Sequence, residues 1–98
     1  METLEFERPS GTRLPPRRVH VGAVASGNLE VLLEPADEPR SRIVVRTSAD
    51  GFGARWQAVI DRFFSRHDVA VRIAINDFGA TPPIVLLRLE QAIEEAFA

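Results

Sequence analysis

The stretch GARWQAVIDRFFSRHDVAVRIAIND, residues 53–77, changes its hydrophobic period part-way along, and that change decides the fold. Trp56, Val59, Ile60, Phe63 and Phe64 recur at three-and-four spacing, with Arg55, Asp61, Arg62, Ser65 and Arg66 on the other side, the pattern of an amphipathic helix. From Val69 the period falls to two. Val69, Val71, Ile73 and Ile75 alternate with Ala70, Arg72, Ala74 and Asn76, which predicts a strand with one buried face. Just upstream, Ile43 to Arg46 is a β-branched run bounded by Arg40 and Ser41 and by the turn-forming residues Thr47 to Gly51. Strand, helix, strand in this order predicts two parallel strands joined by a right-handed crossover.

Working toward the N-terminus, Leu29, Val31 and Leu33 alternate with Glu30, Leu32 and Glu34, and Val19, Val21 and Ala23 alternate with His20, Gly22 and Val24. Between them lie Ser26, Gly27 and Asn28. Gly followed by Asn tolerates the positive φ of tight hairpin turns, so the reading is a β-hairpin with Ser26 at its exposed tip. Leu4 and Phe6 alternate with Thr3, Glu5 and Glu7, suggesting a short extra edge strand, with residues 1–16 loosely attached beyond the Pro-bearing break Arg8 to Pro16. Toward the C-terminus, Asn76 to Ala80 forms a loop. Thr81 is placed to cap a last helix, Pro82 suits its first turn, and Leu86, Leu89, Ile93 and Phe97 form its apolar stripe. The whole is an α+β two-layer sandwich in the order βββαβα: a mixed four- to five-stranded sheet with two helices on one face, in a single domain spanning 1–98.

Composition narrows the function. The chain of 98 residues is 45% hydrophobic and 27% charged, ordinary for a folded globule. It has no cysteine, which excludes disulfides, thiolate metal sites and a cysteine nucleophile drawn from these residues. A formal charge of −2 gives no bulk attraction to nucleic acid or anionic membranes. No apolar run is long enough to span a bilayer, and Met1, Glu2, Glu5 and Glu7 are unlike a basic secretory leader, so a cytoplasmic protein is expected. The basic residues are all arginine. Arg40, Arg42, Arg46, Arg55, Arg62, Arg66 and Arg72 face only Asp50, Asp61 and Asp68 over residues 40–72, an excess readable as a solvated face or as a docking face formed by Arg55, Arg62 and Arg66.

Catalytic constellations are sparse. His20 lies on a strand, and His67 at a helix end beside Asp68, where satisfying terminal carbonyls explains it as well as catalysis does. Asp50 and Asp77 flank helix starts and are explained by capping. Asp50-Gly51-Phe52-Gly53 contains the kinase tripeptide without any accompanying lysine or catalytic loop, and no phosphate-binding glycine fingerprint occurs.

Three separated segments carry a resemblance. Val24-Ala25-Ser26-Gly27-Asn28-Leu29-Glu30-Val31-Leu32-Leu33-Glu34-Pro35 resembles the prosthetic-group attachment segment of the acyl carrier, or delta, subunits of biotin-independent malonate decarboxylases. Val45 to Gly53, with Trp56 to Val59 and Arg62 to Phe64, is similar to that family's middle segment, and Ile75 to Pro82 to its later one. The likeness runs from about residue 17 to the C-terminus. It implies a non-catalytic carrier of acetyl and malonyl thioesters during conversion of malonate to acetate and CO2, with 2'-(5''-phosphoribosyl)-3'-dephospho-CoA attached to Ser26 through a phosphodiester and Gly27 and Asn28 supporting the turn. Asn28 departs from the family pattern, which has an acidic residue there. The implied partners are the acetyl-carrier:malonate transferase subunit, the malonyl-carrier decarboxylase subunits and the holo-carrier synthase, a phosphoribosyl-dephospho-CoA transferase, with neither nucleic acid nor membrane among them. The competing reading of the residues alone is an Arg-rich α+β adaptor or RNA-binding module in which Ser26 is only a turn residue.

Overall fold

The computed structural model describes all 98 residues. Strands β1 (Glu2–Pro9), β2 (Val19–Gly22), β3 (Leu29–Pro35) and β4 (Arg40–Thr47) precede helix α1 (Gly53–Arg66), and strand β5 (Val71–Asp77) and helix α2 (Pro82–Phe97) follow. They build a five-stranded mixed sheet in the order β1-β4-β5-β3-β2. As the period change demands, β4 and β5 are parallel neighbours, with Ile43 beside Ile73 and Val45 beside Ile75. The β2–β3 hairpin adds to β5 through β3, antiparallel, with Leu29 opposite Asp77 and Val31 opposite Ile75.

Alternation then sorts the side chains. Leu29, Val31, Leu33, Ile43, Val45, Val71, Ile73 and Ile75 point to one face and form one core cluster with Trp56, Ile60 and Phe63 of α1 and Val85, Leu89, Ala92, Ile93 and Ala96 of α2. Both helices therefore cover the same face. The opposite face carries Glu30, Arg42, Arg72 and Asn76, with Leu32 and Ala74 exposed among them.

Four details depart from the reading of the sequence. First, residues 1–16 are not loosely attached. β1 pairs antiparallel with β4 from Glu2 opposite Thr47 to Pro9 opposite Arg40. Beyond it, Thr12 gives its amide and hydroxyl to Asp68, Arg13 and Val69 form an isolated parallel bridge, and Pro15 is buried. These tethers join residues far apart in the chain, so local pattern carries no trace of them. Second, β5 begins at Val71 rather than Val69. Third, the buried stripe of α2 is Val85, Leu89, Ala92, Ile93 and Ala96, leaving Leu86 and Phe97 half-buried at its flank, because small alanines let the helix approach the sheet more closely than large side chains would. Fourth, neither helix has a side-chain N-cap: Thr81 occupies that position in α2 without the capping bond, and α1 starts from Phe52 with Asp50 exposed upstream.

Candidate functional site

The three segments singled out in the sequence meet at one end of the sheet. β3 starts there, β4 and β5 end there, and both helices start there.

The Ser26 loop is larger than a tight hairpin turn. β2 stops at Gly22, whose φ of +86° and close approach to the Leu29 carbonyl leave no room for a Cβ, and Ala23 to Asn28 form the connection. Within it Asn28 N–H donates to the Ala25 carbonyl at 3.0 Å, closing a β-turn with Ser26 and Gly27 as its central residues. Gly27, at φ +75°, supplies the left-handed conformation, whereas Asn28 does not. The turn is pinned. Gly27 N–H donates to the Phe78 carbonyl at 2.8 Å, and Phe78 N–H donates to the Asn28 carbonyl at 2.9 Å. The Asn28 Oδ1 accepts from the Leu29 amide at 2.8 Å and from Arg88 Nε of α2 at 3.3 Å. Asn28 thus joins turn, strand and helix, a role its place beside glycine did not reveal.

Ser26 is exposed, and every hydrogen bond of this loop runs through backbone or Asn28, leaving Ser26 Oγ to solvent. A Cβ built on Gly27 meets no atom within 4 Å, so the approach to the hydroxyl is open. These residues fit a covalently attached group: a reachable nucleophilic oxygen, an unobstructed neighbour and a backbone held at both ends.

The remaining candidates separate. His67 Nε2 lies 2.9 Å from Glu90 Oε2 and its ring 4.8 Å from that of Phe63, so it ties α1 to α2, while Asp68 is taken up by Thr12. His67 and Asp68 form no hydrolytic pair. His20 Nε2 lies 2.9 Å from Glu30 Oε2, and Asn76 donates to Glu30 Oε1 at 2.8 Å. These bonds, His20 first and then Asn76, hold the Glu30 carboxyl below its ordinary pKa. No cluster of three or more metal-ligating side chains occurs.

The arginine excess also divides. Arg42 pairs with Glu7 and Glu38, Arg40 with Glu7 at 3.1 Å, and Arg72 with Glu34 and with Asp37 at 3.1 Å, all on or beside the open sheet face. Those glutamates and Asp37 fall outside or at the edge of the basic stretch, which is why a local charge count overstated its field. Arg55, Arg62 and Arg66 do share the exposed side of α1; Arg55 lies 5.0 Å over the Phe52 ring, and Arg62 and Arg66 enter no ion pair. Trp56 and Phe63 are buried, so no exposed aromatic row accompanies these arginines as a base-stacking surface would require.

Residues 16–96 match the family described as Malonate decarboxylase delta subunit (MdcD). The chain belongs to that family. Among malonate decarboxylase delta subunits it is 52% identical to the malonate decarboxylase acyl carrier protein of Stenotrophomonas maltophilia strain K279a, covering 100% of this chain and 96% of that one. It is 54% identical to the malonate decarboxylase acyl carrier protein of Pseudomonas aeruginosa strain UCBPP-PA14, over 98% and 97% of the two chains. Its fold matches a chain in a crystal structure of a Pseudomonas malonate decarboxylase hetero-tetramer in complex with malonate, with a TM-score of 0.90, 49% identity and coverage of 98% and 99%.

Proposed function

We propose that this chain is the acyl carrier subunit of a malonate decarboxylase and that Ser26 carries 2'-(5''-phosphoribosyl)-3'-dephospho-CoA through a phosphodiester. The observation that carries the assignment of Ser26 is an exposed, hydrogen-bond-free hydroxyl at the first central position of a β-turn clamped on both sides by Phe78. When bound, the group supplies the terminal thiol that holds acetyl or malonyl as a thioester, which a cysteine-free chain cannot. The chain's own residues do mechanical work: Gly27 gives the turn its shape, Phe78 and Asn28 hold it, and Arg88 braces it against α2. A rigid base with a long mobile arm raises the local concentration of the acyl group at successive active sites, and catalytic groups are left to the transferase and decarboxylase subunits. The holo-carrier synthase is the further expected partner. The compartment expected for work beside those subunits is the cytoplasm; no helix is long and apolar enough to cross a membrane.

The test is co-expression with the family's cofactor-synthesising and cofactor-transferring enzymes, read by intact mass and thiol titration. Attachment adds one prosthetic group and one titratable thiol. Ser26→Ala abolishes both while leaving the unfolding midpoint unchanged, because an exposed turn serine contributes little to stability. An unmodified wild-type mass, with the enzymes active on a second carrier, refutes the reading; an added mass that survives Ser26→Ala refutes only the choice of residue.

A further inference from the structure

A cleft of about 240 Å³ opens beside the Ser26 turn, between the ends of β4 and β5 and the first turns of α1 and α2. Phe52, Trp56, Val59 and Val85 give it apolar walls, and Arg55 stands at its mouth with the guanidinium over Phe52. Phe52 is 39% exposed, so part of its side chain stays open to solvent beside that guanidinium. The floor is polar. Asp77 is 4% exposed and accepts the Thr47 hydroxyl at 2.8 Å and the Ala80 amide at 3.0 Å. A carboxylate has about four acceptor positions, so after these two bonds Asp77 keeps acceptor capacity where it lines the cleft.

The cleft adjoins the turn. Gly79 forms part of its rim, and a Cβ built on Gly79 would lie 3.8 Å from the Gly27 nitrogen, next to Ser26. Drug-sized ligands take pockets of roughly 300 to 1,000 Å³, so this one suits a single flat ring system and not a whole coenzyme. Apolar walls, an aromatic face with a guanidinium above it, and a buried acceptor together describe a purine bearing an amino group.

The geometry points to this cleft as the seat of the adenine of the chain's own prosthetic group. The inference rests on the attachment proposed above. Within that group adenosine is joined to the serine by a single phosphoribosyl unit, whereas the thiol lies beyond the diphosphate and pantetheine. A tether this short raises the effective concentration of adenine at an adjoining cleft into the millimolar range. Adenine packs against Phe52 and its amino group donates to Asp77. Seating it there parks the bulky near half of the arm on the carrier and leaves the thioester-bearing half free to visit partner active sites.

The experiment uses modified full-length carrier, its mass verified first. Trp56 is the sole tryptophan and lines the cleft, so its emission reports occupancy without any activity assay. Modified carrier should show quenched Trp56 emission and nuclear Overhauser effects from adenine protons to Phe52 and Val59. Phe52→Ala, changing a partly exposed side chain, should restore the emission of unmodified carrier at full modification. Unquenched emission with mobile adenine resonances overturns the proposal, as do effects arising from the pantetheine methyl groups in place of adenine. Should the mass show no attachment, the function proposed above fails and the cleft is judged by titrating unmodified carrier with millimolar AMP. A saturable quench lost in Phe52→Ala sustains adenine recognition there, and its absence overturns it.

Discussion

The Gly27 amide donates to the Phe78 carbonyl at 2.8 Å across two loops, and the Phe78 amide donates in turn to the carbonyl of the next residue, Asn28, at 2.9 Å. The turn that presents Ser26 thus extends the β3–β5 ladder beyond Leu29 and Asp77. Its single conformational demand falls on Gly27, at φ +75°. A β-branched residue there meets no steric obstacle from the rest of the chain but resists that φ. Gly27→Val should therefore cost about 1 to 3 kcal/mol, the scale of a single strained backbone position. It should also slow Ser26 modification strongly, because the turn escapes strain by leaving Phe78. Hydrogen exchange at the Gly27 and Phe78 amides, faster in the variant, checks the mechanism; unchanged exchange with normal modification contradicts it.

The core makes a sharper demand. Phe63 is fully buried between α1 and the sheet, packed edge-on to Phe64 with ring centroids 5.1 Å apart. Phe63→Ala should cost roughly 3 to 5 kcal/mol, a large share of the stability of a domain this small. Ser65→Ala, on the exposed side of the same helix, should change little. Denaturant midpoints for the pair give the comparison, and equal shifts would mean that α1 turns a different side to the sheet.

How far the sequence reached follows from the range of each interaction. The α1 face was legible because Trp56, Ile60 and Phe63 are large and regularly spaced, and the β4–α1–β5 unit followed from the change of period. Ser26, Gly27 and Asn28 were legible as an exposed turn, and the likeness of three segments singled out the serine among them. The size of that loop was not legible, since it depends on Gly22 meeting the Leu29 carbonyl, a contact visible only once β2 and β3 are in register. Nor was the anchoring of residues 10–16, which Asp68 supplies from the far side of α1. The cleft was missed for the same reason: Phe52, Trp56 and Asp77 each have a local explanation, and only the parallel pairing of β4 with β5 brings them together. The one signal available was that two of the three family-like segments, Val45 to Gly53 and Ile75 to Pro82, line it.

On the open sheet face Glu30 links β2, β3 and β5 through His20 and Asn76. Because these bonds favour its ionised form, its pKa is lowered from the ordinary 4.5. A lowered folded-state pKa contributes stability above the unfolded value and loses it as pH falls through the folded one. Wild-type stability should accordingly decline below about pH 4.5, and Glu30→Gln should flatten that decline while costing stability near neutrality. Chemical unfolding of the two proteins at pH 7 and across the acid range checks it; parallel curves would show that Glu30 contributes no pH dependence.

Arg62 and Arg66 remain as cations without ion-pair partners on the exposed side of α1, pointing away from the core and clear of the cleft that Arg55 borders. Their charges do little for the fold, since exposed groups contribute about 0 to 1 kcal/mol each. Long-range attraction is what such a pair can offer, because complementary charge governs how fast two proteins meet more than how tightly they hold. Arg62→Glu combined with Arg66→Gln removes that attraction; glutamine is chosen at position 66 because an acid in the last turn would oppose the helix dipole and confuse stability with docking. The double variant should unfold near the wild-type midpoint yet associate more slowly, at low salt, with at least one of the transferase, decarboxylase and synthase subunits. Raising the ionic strength should narrow the difference, as screening shortens the reach of both surfaces to about 8 Å at physiological salt. Association rates equal to wild type with all of these subunits at low salt would show that the carrier docks through another face, leaving Arg62 and Arg66 as solvated charges only.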